Sequence, residues 1–241
     1  MKTRKPGEST KRAADNNLIA IVGDMVGSRM LDGAARRSAQ DEYRRLLGRL
    51  NKAFAASVRS RFEITLGDEF EGLIESTDSP AVIPEFLWLV EAEFKGPDLR
   101  TAFGMGRVDT EIRGSTRELD GPAFHRAREA IQSAKLERKL GGVFLGFGEA
   151  HDAILNGIAR ALHLQRLGWS KQQSIVASHL RAGKNQTAAA RAMGLTKQAV
   201  SAYTRAAHWR DYAEGERALC FALRCAVTGS QIEDPVERSR I

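Results

Sequence analysis

The rhythm of apolar and polar positions changes several times along the chain, and the changes outline its elements. Leu18 to Gly23 is an unbroken apolar run, the pattern of a strand buried on both faces. Ala34 to Phe54 sets Tyr43, Leu46, Leu47, Leu50 and Phe54 at helical spacing among many charges, which predicts an amphipathic helix. Phe62 to Leu66 and Phe70 to Ile74 flank Gly-Asp-Glu, a hairpin spacing with Asp68 on the turn. Pro80 to Phe94, started by Ser79 and Pro80, carries Ile83, Phe86, Leu87, Leu89 and Val90 and reads as a second helix. Leu99 to Val108 is a further strand whose glycines point to close packing or to the approach of a ligand. Gly121 and Pro122 open a third helix, with Asp120 as its cap, and Val143 to Phe147 forms a last strand. This order predicts an α+β mixed sheet with helices packed on it.

From Glu149 onward the pattern is almost wholly helical and richer in alanine. The chain accordingly divides into a solvated basic tail (1–16), an α+β domain (17–148) and a helical domain (149–241), a division that its 241 residues accommodate. With 42% hydrophobic and 28% charged residues, it has no apolar run near the roughly 20 residues that span a bilayer. The N-terminal stretch lacks the apolar core of a secretory signal, so a cytoplasmic protein without membrane partners is expected. Cys220 and Cys225, five apart on a predicted helix, face different ways and suit neither a disulfide nor a metal site.

The net charge of +7 is unevenly spread. Between Asp152 and Asp211 there is no acidic residue, while nine Lys or Arg occur there, a footprint for a polyanion. Within that block, residues 186–205 have the spacing of a helix-turn-helix. Ala190 is small enough for two helices to cross, Gly194 can take the positive φ of a sharp turn, and Met193, Leu195, Val200 and Tyr203 supply an apolar core. Thr196 caps the second helix, and Lys197, Gln198, Ser201 and Arg205 lie on its outer face. Gln pairs with adenine and Arg with guanine, while Lys, Ser and Thr hold phosphates, so Thr196, Lys197, Gln198, Ser201 and Arg205 are the expected contacts to double-stranded DNA. With the helix before it the unit spans about 170–208 and resembles the trihelical modules of bacterial regulators, for which a homodimer on two half-sites is expected.

Asp24 and Asp68 each follow a glycine at the end of an apolar strand. Singly, either suits an ordinary turn. As a pair at one sheet edge they would hold a divalent cation and the phosphates of a nucleotide.

Three segments in order resemble the palm domain of nucleotide cyclases and GGDEF proteins: Asp24-Met-Val-Gly27, Gly67-Asp-Glu-Phe70, and residues 100–108 followed by Gly121 to Arg128. As spaced here, the whole set resembles the SatD family, bacterial proteins that often carry a helix-turn-helix behind these motifs. The resemblance implies a palm-like, ferredoxin-like sheet, with Asp24, Asp68 and Glu69 around Mg²⁺ or Mn²⁺. It implies nucleotide contacts from the backbone between Met25 and Ser28, through Gly27, and from Arg29, His125 and Arg128. Ile64 stands where cyclases place a base-selecting Lys, His125 where they place an Asn, and Glu129 where they place a transition-state Arg. Arg128 is one position away, about 100° around the helix. The expected function is a DNA-binding transcriptional regulator whose palm-like domain binds a nucleotide with a metal. The alternatives are a Mg²⁺-dependent nucleotide cyclase or nucleotidyltransferase recruited to DNA, and a catalytically dead dimerisation platform.

Overall fold

The computed structural model describes residues 17–230, so the tail expected over 1–16 lies outside the described residues, as does the side chain of Arg29. Its centre is a five-stranded sheet in the order β2-β3-β1-β4-β5. The strands are β1 (Leu18–Met25), β2 (Val58–Leu66), β3 (Glu69–Glu75), β4 (Leu99–Gly106) and β5 (Gly141–Leu145). Helix α1 (Gly33–Ala53) joins β1 to β2, α2 (Ser79–Trp88) joins β3 to β4, and α3 (Pro122–Leu136) joins β4 to β5. β1 pairs antiparallel with both β3 and β4, whereas β4 and β5 run parallel, as a helical crossover requires. The first four strands with α1 and α2 have the β-α-β-β-α-β order of a ferredoxin-like, palm-like α+β fold.

Alternation along β1 explains the two layers. Ile19 and Ile21 point to the face covered by Tyr43, Leu46 and Leu50 of α1 and by Ile83 and Phe86 of α2. Ala20 and Val22 point to the other face, beneath Ala123, Phe124, Ala127 and Ile131 of α3. There the glycines of β4 find their purpose: a Cβ on Gly104 would fall 2.2 Å from the carbonyl oxygen of Ala123 and 2.3 Å from the amide nitrogen of Ala127. The approaching body is the backbone of α3.

The helix expected over Pro80–Phe94 ends sooner, at Trp88, and continues over Leu89–Glu93 as a wider i→i+5 turn. Asp120 does not cap α3 either. Gly121 occupies that position, and the carboxylate of Asp120 pairs with His125 and Arg128.

Beyond residue 148 the described chain is helical. Helices α4 (Glu149–Leu167) and α8 (Trp209–Thr228) place Leu155, Ala159, Leu162, Leu219 and Leu223 in the same core as Ile19 and Phe86. Between them come α5 (Lys171–Arg181), α6 (Gln186–Met193) and α7 (Lys197–Ala206), which enclose a small core of Val176, Ala189, Ala190 and Val200. Gly194 turns the chain between α6 and α7 with φ 65° and ψ 30°. The side chains of Asn185 and Thr196 cap the two helices by accepting from Ala188 N at 2.9 Å and Ala199 N at 3.1 Å. The unit meets the sheet layer at a cluster of the chain's three tryptophans, Trp88, Trp169 and Trp209, with Tyr212 among them. Arg181 of α5 lies over the Trp88 ring and pairs with Glu85 of α2 and Glu216 of α8. Among the described residues no helix is long and apolar enough to cross a membrane.

Candidate functional site

The carboxylates meet where β1 ends, β3 begins and the hairpin turns. Asp24 is the next-to-last residue of β1, and its register sets it opposite Glu69 of β3 on one side and Arg100 of β4 on the other. Counting by two from Ala20 and Val22 places its side chain on the α3 face. Asp68 sits on the turn after Gly67, whose φ is 59°. The turn is tied to β1 by Met25 N donating to Asp68 O at 3.2 Å. The buried Tyr43 hydroxyl braces it by donating to the same oxygen at 3.0 Å. The Ser28 hydroxyl donates to the Asp68 carboxylate, which ties the loop after β1 to the hairpin.

Two cations face these acids. The Lys135 ammonium, on the last turn of α3, lies 2.7 Å from Glu69 Oε1 and 3.2 Å from Asp24 Oδ1. The Arg100 guanidinium lies 3.3 Å from Asp24 Oδ2 and also donates to Lys139 O at 3.2 Å. Burial raises the Asp24 pKa above its ordinary value; Lys135 opposes the rise, and the charges of Asp68 and Glu69 add to it. Burial lowers the proton affinity of Lys135, but its hydrogen bond to Glu69 and the charge of Asp24 outweigh that and raise its pKa. Tyr43 is held well above its usual pKa by burial and by the same acids, so its hydroxyl stays a donor. Asp24, Asp68 and Glu69 therefore lie near enough to sense one another.

The residues expected to meet a nucleotide separate into two groups. Met25, Ser28 and Asp68 line a cleft of about 200 Å³ with Leu31, Gln40 and Tyr43. Gly27, φ 69°, has no atom within 4 Å of where a Cβ would stand, so conformation alone favours glycine there. The amides of Met25 and Val26 are not available to phosphates as expected: they donate to Asp68 O and, at 2.8 Å, to Asp98 O.

His125 and Arg128 do not join the acid corner. His125 Nε2 pairs with Asp120 Oδ1 at 2.9 Å, and Arg128 grips Glu71 through two hydrogen bonds of 2.9 and 3.2 Å. Glu71 is two residues along β3 from Glu69, and Arg128 is two helical turns, about 10 Å of rise, before Lys135. Lys135 and Arg100 are the residues that sequence reading passed over. The available signal was the seven-residue interval from Arg128 to Lys135, which sets two cations on one side of a helix whose apolar stripe faces the sheet.

The donor chemistry suits Mg²⁺ or Mn²⁺, since Asp24, Asp68, Glu69 and Ser28 offer only hard oxygens. Among the described residues, however, no group of three or more His, Cys, Asp or Glu stands in a metal-holding arrangement. Asp24 and Glu69 approach Lys135 instead, and Asp68 accepts from Ser28.

In the helical region, Lys197, Gln198 and Arg205 are exposed on α7 and Ser201 is half-buried, while Val200 and Thr204 face inward. The Thr196 hydroxyl is engaged as the cap of that helix.

Fold and site together define an α+β protein of palm-like topology with an acidic corner at its central strand, followed by a helical region. The chain belongs to the SatD family, whose model matches residues 18–203. Among solved structures it is similar to a microbial GGDEF domain described in an interaction with bis-(3′,5′)-cyclic di-GMP, with 18% identity, TM-score 0.39, 57% of this chain and 84% of that one covered. It is also similar to a bacterial light-regulated adenylyl cyclase, with 14% identity and TM-score 0.37 over 54% of this chain. The match spans 42% of that cyclase chain. No curated protein matches it.

Proposed function

We propose that this protein is a DNA-binding transcriptional regulator whose palm-like sheet binds a nucleotide together with Mg²⁺ or Mn²⁺. The observation that carries the DNA half is the division of α7 into two faces. Val200 and Thr204 are buried against the small helical core, and Lys197, Gln198 and Arg205 are left outward in a stretch without acids. Such a helix presents donors to phosphates and base edges. The palm half is supported by the corner where Asp24 and Glu69 face each other across β1 and β3, with Asp68 on the adjoining turn. Asp24, Asp68 and Glu69 would hold the cation, which would neutralise phosphate charge. The cleft of about 200 Å³ beside Ser28 and Asp68 admits one moiety of a nucleotide, with the remainder in the open. A homodimer would present two α7 helices to two half-sites.

Binding to duplex DNA, followed by fluorescence anisotropy across a series of salt concentrations, tests the first half. The expected result is an affinity that falls steeply with salt, and a loss of about tenfold on Arg205→Ala. Salt-insensitive or absent binding at low ionic strength overturns it. For the second half, nucleoside triphosphates with Mg²⁺ should bind the wild type and not the Asp24→Asn variant. Product found by mass analysis, and lost with Asp24→Asn, would instead make the protein an enzyme.

A further inference from the structure

We infer that the ammonium of Lys135 is the built-in cation of the Asp24–Glu69 pair, and that a divalent ion enters this corner only by displacing it. The inference rests on the metal reading proposed above and adds to it the residue that sets the affinity. Its starting point is a conflict of charges. Antiparallel register places Asp24 directly opposite Glu69, at the roughly 5 Å spacing of cross-strand neighbours, and Asp24 is only 6% exposed. With Asp24 nearly out of water and Glu69 only partly solvated, 29% of its side chain exposed, two carboxylates so close favour a cation between them.

Among the described residues, Lys135 is the group that reaches both, at 2.7 and 3.2 Å. Arg100 touches Asp24 alone and is anchored by Lys139 O. A lysine ammonium is a compact point charge on a flexible four-carbon stem, and the Lys135 side chain retains 27% of its exposure, so it has a path to water. Its departure need not move α3, because Arg128 holds that helix to Glu71 two turns earlier by a bidentate pair of 2.9 and 3.2 Å.

The charge balance gives the consequence. When ionised, Asp24, Asp68 and Glu69 carry three negative charges; Lys135 and Arg100 return two positive ones, leaving one negative charge to attract a divalent ion. With the ammonium withdrawn, two remain, which matches Mg²⁺ or Mn²⁺. Lys135 thus weakens cation binding and prevents the acids from standing empty. It acts by occupying the corner, as a competitor of the ion for Asp24 and Glu69.

The test uses the full chain, Mn²⁺ as the sole probe without nucleotide, and binding read by calorimetry and by the paramagnetic resonance of free Mn²⁺. Lys135→Met and Lys135→Gln are expected to bind Mn²⁺ at least tenfold more tightly than the wild type, Lys135→Arg to match the wild type, and Asp24→Asn added to either neutral variant to abolish the gain. Lys135→Gln keeps a donor for Glu69 and carries the test if the Met variant fails to fold. Unchanged or weaker binding in the neutral variants, with wild-type binding that Asp24→Asn abolishes, overturns the role of Lys135 and leaves the metal reading standing. Absence of Mn²⁺ binding in every variant overturns both.

Discussion

At the scale of single residues, Asp24 is the costly one. It lies on a central strand where an apolar residue would pack, and burial with two neighbouring acids makes its ionised form unfavourable. Its pKa is raised in the folded chain, so folding favours the protonated form. That stabilisation is complete below the ordinary carboxyl range and is lost as pH rises through the folded pKa. The melting temperature of the wild type should therefore fall relative to that of Asp24→Asn as pH rises above the ordinary carboxyl range of about 4. Parallel melting curves of the two proteins would show Asp24 to be well accommodated. A residue that costs stability where it stands is a natural candidate for a role in binding. His125 and Arg128, by contrast, pair within the fold, with Asp120 and Glu71.

At the scale of elements, two glycines act for different physical reasons. Gly104 lets α3 lie directly on β4, and the atoms a Cβ would strike there are backbone atoms that cannot swing away. Gly104→Ala should cost about 3 kcal/mol and lower the melting temperature by roughly 10 °C. An unaffected melting curve would mean that α3 stands off from the sheet. Gly194 works differently: nothing lies within 4 Å of its absent Cβ, and only its φ of 65° matters. Gly194→Ala should therefore cost about 1 kcal/mol. Hydrogen exchange should locate the loss in α6 and α7 and leave the sheet protected.

At the scale of the whole molecule, the question is how the three-helix unit is held to the sheet layer. Among the described residues, Arg181 of α5 reaches both Glu85 and Glu216 and covers the Trp88 ring. Replacing it with Met should cost about 2 kcal/mol, since charged hydrogen bonds are lost while the stem is kept. Tryptophan fluorescence, which reports directly on the cluster around Trp88, Trp169 and Trp209, should then change at lower denaturant than the circular dichroism of the sheet. Coincident transitions would show that the joint does not depend on this arginine. The helices α4 and α8 share the sheet's core, so the helical region is rooted in the sheet layer at both ends.

Sequence alone determined much of this protein, because its signals are local. The unbroken run of β1, the helical spacing of Tyr43 to Leu50, the Gly-Asp-Glu turn and the small, turning and capping residues Ala190, Gly194 and Thr196 each act within a few positions, where periodicity and backbone freedom decide the outcome. The ordered motifs around Asp24, Asp68 and Glu69 likewise indicated the family and which acids to watch. Tertiary structure decided what lies between distant segments. It showed that β4 and β5 run parallel, that the glycines of β4 admit a helix, that the amides of Met25 and Val26 are already engaged, and that Arg128 grips Glu71. It also brought Lys135 to Asp24 and Glu69 from more than sixty residues away in the chain. A carboxylate's chemistry depends on which charge stands within a few ångströms of it, and no periodicity along the chain encodes that distance.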